Sequence, residues 1–139
     1  MREIKRLGIS ERHTMNRIGF MQGRLSPKPE GRIQAFPKDH WREEFAHAKR
    51  IGFDCLEFIH DELHIEQNPL ETEAGRKEIK ALAKTNGVAV GSICGDWFMI
   101  HPIQKNVDKA KWLLGVAKEI DCPLVELPCG LLLFSAPEE

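Results

Sequence analysis

Along the chain, short runs dense in β-branched and aromatic residues alternate with longer stretches whose apolar positions recur every three or four residues. Trp41, Phe45, Ala48 and Ile51 follow i, i+4, i+7, i+10, and Val107, Ala110, Leu114 and Ala117 follow i, i+3, i+7, i+10. This is the one-sided stripe of an amphipathic helix. Ile79, Leu82 and Ala83 mark a third such stretch. Gly52 and Asn86-Gly87 stand where left-handed C-terminal caps belong, and Pro123 cannot continue a helix after Asp121. The spacing predicts helices over 38–51, 73–86 and 105–120. Between them, runs near 17–21, 54–59, 88–94 and 123–127 are rich in Ile, Val, Phe and Leu and too short for helices, so they are expected as strands.

The pattern repeats. AKRIGFDCLEFI (48–59), AKTNGVAVGSI (83–93) and AKEIDCPLVELP (117–128) each read as a helix end, a turn and a β-rich run, with Ala-Lys pairs spaced by 35 and 34 residues. Strand, helix, strand, helix is the order of a parallel sheet, and crossovers of this length build either a doubly wound sheet or a (β/α)₈ barrel. Near-equal units favour rotational closure, so the expected fold class is α/β of the TIM-barrel type. A complete barrel takes about 250 residues. Four units over 17–139 make half a barrel, the expected domain being 16–139. The first 14 residues precede a second methionine, Met15, and residues 1–15 read as a flexible N-terminal extension outside the core.

Charge and composition narrow the function. Twenty basic against 21 acidic residues give a net charge of −1, which offers no footprint for nucleic acid or an anionic membrane. No apolar stretch approaches the roughly 18 residues of a membrane helix, and the first residues lack the apolar centre of a secretory signal. The four cysteines, Cys55, Cys94, Cys122 and Cys129, form no C-x-x-C pair. Free thiols in a reducing, cytoplasmic setting are expected.

In a parallel barrel the chemistry gathers at the carboxyl ends of the strands. Strand one ends in Gln22, Gly23 and Arg24, where a glycine lets backbone approach a ligand. A solvated turn is the alternative for Arg24. In strand two, period-two alternation sets Leu56 and Phe58 toward the helices and Cys55, Glu57 and Ile59 toward the other face. An inward carboxylate is costly unless it binds something, which makes Glu57 a candidate catalytic group. His60 and His64 read as loop histidines rather than ligands. Strand three runs into Ser92, Cys94, Asp96, Trp97, Phe98 and His101, where small residues followed by aromatics suit a cavity with a flat apolar wall for a sugar's C–H face. Glu126 on strand four is either a second inward carboxylate or a structural one. Two inward carboxylates would serve proton transfer beside a carbonyl. The sequence has no P-loop, G-x-S-x-G elbow or H-E-x-x-H helix.

Taken together, IGFMQGRLSP, the AFP…W…EF…AK.IGFDCLEFI stretch, the NPL at 68–70 and the SICGDWFM.HP end of strand three resemble the amino-terminal half of the xylose-isomerase-like barrel superfamily. Within it they are most similar to sugar phosphate isomerases and epimerases of the L-ribulose-5-phosphate and hexulose-6-phosphate type. The likeness runs from about residue 16 to about residue 129. It implies a (β/α)₈ barrel with a divalent cation (manganese, magnesium, cobalt or zinc) that polarises a sugar carbonyl, and a carboxylate that moves a proton through an enediol. The resemblance places Gln22, Arg24, Cys94, Asp96, Trp97 and His101 in the substrate pocket with Glu57 as the catalytic carboxylate. It also implies metal ligands (two Glu, an Asp and a His) on the last four strands, so no metal ligand is expected in this chain. A chain of this extent is therefore expected to be a truncated family member. Its expected partners are a small sugar or sugar phosphate and either a second copy or a complementary half-barrel that covers its exposed edges. A non-catalytic, sugar-binding half-barrel and the abasic-site endonuclease branch of the superfamily are the alternatives. The closing LLLFSAPEE is either a divergent strand-four loop or the product of a frameshift.

Overall fold

The computed structural model describes residues 16–128. The extension expected over 1–15, the readings of Cys129 and of the closing segment, and the end of the expected domain lie outside the described residues.

Four strands and three helices alternate: β1 (Gly19–Met21), α1 (Trp41–Ile51), β2 (Cys55–Ile59), α2 (Glu73–Asn86), β3 (Ala89–Cys94), α3 (Val107–Glu119) and β4 (Val125–Glu126), with short 3-10 turns in the connections. The strands form one parallel sheet in the order β1-β2-β3-β4. Each strand therefore lies beside its predecessor across a helical crossover, an arrangement compatible with half of an α/β barrel.

The helices end where local chemistry dictates. Thr72 caps α2, its Oγ1 accepting from Gly75 N at 3.0 Å, and Gly52 and Gly87 close α1 and α2 in the left-handed conformation. α1 starts three residues later than the periodicity predicts, because the His40 and Trp41 amides both donate to the Pro37 carbonyl in a turn of their own. β4 is shorter than the expected 123–127. Pro123 brings no amide to a ladder, and Asp121 just before it holds a positive φ of 58°.

Alternation splits the sheet into two unlike faces. Leu56 and Phe58 of β2 and Val90 and Ile93 of β3 join Trp41, Phe45, Ala48, Ile79, Leu113 and Val116 in one buried core, which places the helices on one face. Phe58 anchors that layer between Trp41, edge-on at 6.0 Å, and Phe36 at 5.9 Å. The other face carries Met21, Glu57, Ser92, Cys94 and Glu126, in register across the strands. A shift in the β2–β3 pairing between Leu56 and Glu57 skips Gly91 and sets Glu57 directly opposite Ser92. No helix among the described residues is long and apolar enough to cross a membrane.

Candidate functional site

The turn after β1 is held by a residue twenty-one positions away. Gly23, at φ +84°, turns its amide to both oxygens of Glu44 at 2.9 Å, a backbone angle that an L side chain rarely adopts. The Leu25 amide and the Ser26 hydroxyl donate to the same carboxylate at 3.1 and 2.9 Å. Glu44 is completely buried on α1, in the stripe with Trp41, Phe45 and Ala48. Burial pushes its carboxyl above the ordinary range, and the hydrogen bonds from Gly23, Ser26 and Leu25 pull it back. Its work is structural: it fixes the loop that carries Gln22.

Gln22 is also buried, and its amide is largely spent on the sheet. Its backbone N–H donates to the Glu57 carbonyl at 3.0 Å, and its Oε1 accepts from Ile59 N at 3.0 Å, extending the β1–β2 ladder by one side-chain rung. Its Nε2 has no partner among the described residues. Arg24 reads differently from the expectation of a pocket residue. Its guanidinium donates to the Ile33 carbonyl and lies 3.7 Å from Met21 Sδ, so it braces its own exposed loop.

Three strands converge on one polar cluster. The Ser92 hydroxyl donates to Glu57 Oε2 at 2.9 Å, and the Cys94 thiol donates to Asp96 Oδ1 at 3.1 Å. Asp96 in turn accepts from Gln34 Nε2 at 2.6 Å. Donor atoms of Glu57, Cys94 and Glu126 lie within 4.8 Å of one another. Among the described residues, no lysine, arginine or histidine forms an ion pair with Glu57, Asp96 or Glu126. Burial and then the Glu126 carboxyl push Glu57 above the usual carboxylate range, against the pull of Ser92. Burial, helped by Asp96, likewise keeps the Cys94 thiol protonated far above its ordinary value.

This cluster can hold and pass a proton. It is a poor match for the divalent-cation set of two glutamates, an aspartate and a histidine. It offers no imidazole: its three ligand atoms are two carboxylate oxygens and the Cys94 sulfur, which donates to Asp96. A groove of about 470 Å³ leads along the same face past Met21, Cys55, Glu57, Ser92 and Leu124. A larger one, about 650 Å³, lies at the opposite end of the strands beside Asp54, Ala89 and Asp121, where Lys80 pairs with Asp121 at 2.8 Å.

The structure brings Glu57, Cys94 and Asp96 together, but it gives Trp97 and His101 different company. The two rings stack on each other at 3.9 Å and 21°, and His101 Nε2 lies 3.1 Å from Glu62. Phe98 meets Trp97 edge-on at 5.1 Å. One face of the anticipated flat wall is thus covered by the chain's own imidazole. The loop-histidine reading holds for the partly exposed His64. It holds by position for His60 too, just past the end of β2, but that histidine is completely buried and hydrogen-bonded through Nε2 to Glu71 at 2.7 Å. Sequence reasoning also missed Glu44 and Asp61. Asp61 takes the Phe36 amide at 2.9 Å and is raised by burial. The available signal was the position of Glu44 three residues after Trp41, a charge on an apolar stripe.

In comparisons with known proteins, no family model and no curated protein matches this chain.

Proposed function

We propose that residues 16–128 form one arc of a (β/α)₈-type barrel of the sugar phosphate isomerase/epimerase kind, acting on a small sugar or sugar phosphate by proton transfer beside its carbonyl. The observation that carries this reading is the meeting of Glu57 and Glu126 on the helix-free face of a parallel sheet, near the strands' carboxyl ends. A carboxyl whose proton affinity is raised by burial and by a second carboxyl is tuned toward neutral pH, where a general acid/base is most effective. In this reading Glu57 removes the proton from the carbon next to the carbonyl, and the C–H electron pair becomes the enediol double bond as the carbonyl oxygen takes up a proton. Glu57 then returns its proton to the former carbonyl carbon as the adjacent hydroxyl loses its own and becomes the new carbonyl. Glu126 holds Glu57's affinity high, and Ser92 orients its carboxylate through the 2.9 Å bond.

A divalent cation, where one is bound, would polarise the sugar carbonyl. The described residues do not form its expected ligand set, so the step is assigned to the carboxylates alone. The bare sheet face is where a complementary half, in a second copy or another chain, would close the barrel. The test is to incubate the protein with pentulose and hexulose phosphates, with and without Mn²⁺ or Mg²⁺, and to follow the appearance of isomers and epimers. Turnover lost on Glu57→Gln by about 10²–10⁴-fold supports the reading, and turnover unchanged in that variant overturns it.

A further inference from the structure

The segment Cys94–Trp97, which carries Cys94 and Asp96 into the site, is clamped at both ends by one residue that the proposed chemistry does not use. The His60 amide donates to the Cys94 carbonyl at 2.9 Å, and the His60 carbonyl accepts from the Trp97 amide at 2.9 Å. His60 therefore bridges the end of β2 to both ends of the turn that follows β3.

Its side chain is fixed just as tightly. The imidazole is completely buried against Trp112, ring centroids 5.5 Å apart, and its Nε2 lies 2.7 Å from Glu71 Oε1. Two titratable or charged side chains face it: Glu71, from the turn before α2, and Lys109, from α3, whose Nζ donates to the same Glu71 oxygen at 2.8 Å. Lys109 also sits 3.8 Å over the Trp112 ring. Burial works the other way, but the hydrogen bonds from His60 and Lys109 outweigh it and hold Glu71 below the usual carboxylate range, so it is an acceptor, and His60 must present Nε2–H to it. Nδ1 is then the bare nitrogen, and it has no partner among the described residues.

We propose that His60 is the positioning residue for the Cys94–Trp97 segment, and that it holds this segment only while its imidazole is neutral. A proton added at Nδ1 would have only the backbone of His60 itself to turn to, inside a buried pocket beside the Lys109 ammonium. Relief comes by moving the ring toward water, and the His60 backbone moves with it. That releases the Cys94 and Trp97 bonds and uncouples Asp96 from Cys94 and Gln34. Burial and Lys109 oppose this protonation while Glu71 favours it, and the balance lies below the ordinary imidazole value. Acid therefore opens the clamp, and neutral pH keeps it closed.

The inference concerns a residue that serves the proposed site, so its value to catalysis rests on that reading. Its test does not, because the readout is structural. Amide hydrogen exchange at Trp97 is followed by NMR from about pH 7.5 to about pH 4.5, corrected for intrinsic exchange, together with the His60 ring signals. The expected result is that protection of the Trp97 amide falls at least roughly tenfold over the interval in which His60 titrates. Glu71→Gln keeps an acceptor for Nε2–H but removes the charge that favours imidazolium, and it shifts this transition to lower pH. Lys109→Met removes an opposing charge and shifts it to higher pH. His60→Gln keeps a donor for Glu71 and abolishes the transition; if that variant does not fold, the opposite shifts of the other two still decide. Protection that is independent of His60's titration, or a midpoint unmoved by both Glu71→Gln and Lys109→Met, overturns the proposal. A protein that passes this test yet shows no sugar turnover contradicts the function proposed above and leaves the clamp standing.

Discussion

Glu57 and Glu126 belong to strands that are not neighbours, yet their carboxyl groups meet across β3, within 4.8 Å of each other and of the Cys94 sulfur. Register brings this about. Glu57 is opposite Ser92, Cys94 is opposite Glu126, and Ser92 and Cys94 lie two apart on one face of β3. A parallel sheet with staggered pairing thus assembles two acids around a thiol and a hydroxyl.

That meeting has a pH signature. Glu57 binds its proton more tightly in the folded protein than in the unfolded chain. The stability this contributes is present at low pH and is lost as pH rises through the raised folded value. Glu57→Gln keeps an acceptor for the Ser92 hydroxyl and removes the charge. The variant should therefore melt above the wild type at about pH 8, by roughly 2–4 °C after allowance for the partial exposure of the group. The gap should shrink as pH falls toward about 4.5, where Glu57 takes up its proton in the unfolded chain as well. Thermal melts across that range check both the sign and the trend.

Glu44 tests the scaffold apart from the chemistry. Its carboxylate satisfies the Gly23 and Leu25 amides and the Ser26 hydroxyl in a buried setting. Glu44→Ala leaves those donors without an acceptor and should cost about 2–3 kcal/mol in urea unfolding. Glu44→Gln, which keeps one carbonyl acceptor, should cost visibly less. An alanine variant as stable as the wild type would contradict the bracing role.

Cys94 should be a slow thiol. Burial and the neighbouring Asp96 oppose formation of its thiolate, and the thiolate is the reactive form. Asp96→Asn removes the negative charge and keeps an oxygen to accept the S–H bond. Alkylation of Cys94 by iodoacetamide at about pH 8, mapped by peptide mass, should then accelerate by up to roughly tenfold, the change that one unit of thiol pKa would bring.

Much of this layout was legible along the chain, because periodicity reports which side of an element a residue occupies, although in α3 the expected stripe is displaced: Val107 and Leu114 are exposed, and Leu113 and Val116 are buried. The alternation around Leu56 and Phe58 placed Glu57 on the opposite face, and the echoed Ala-Lys units foretold a parallel order. Periodicity is silent on partners that meet only in space. Glu44 finds Gly23 across 21 positions, and Lys109 finds Glu71 across 38, so neither bond left a local trace. Arg24 shows a second limit. It leaves a turn, where no repeat fixes side-chain direction, and it turned to its own loop's Ile33 carbonyl. His60 stands next to the buried end of β2, and its burial follows from Glu71 and Trp112, residues on elements that its immediate neighbours do not announce.

Solvent deuterium incorporation reads out directly whether Glu57 takes a proton from the sugar. The protein is incubated in D₂O with a pentulose or hexulose phosphate and divalent cation, and the proton on the carbon beside the carbonyl is followed by NMR. The wild type should exchange that proton, and Glu57→Gln should exchange it about 10²–10⁴-fold more slowly. Exchange that persists undiminished in Glu57→Gln, or no exchange by the intact protein on either class of sugar phosphate, would contradict it.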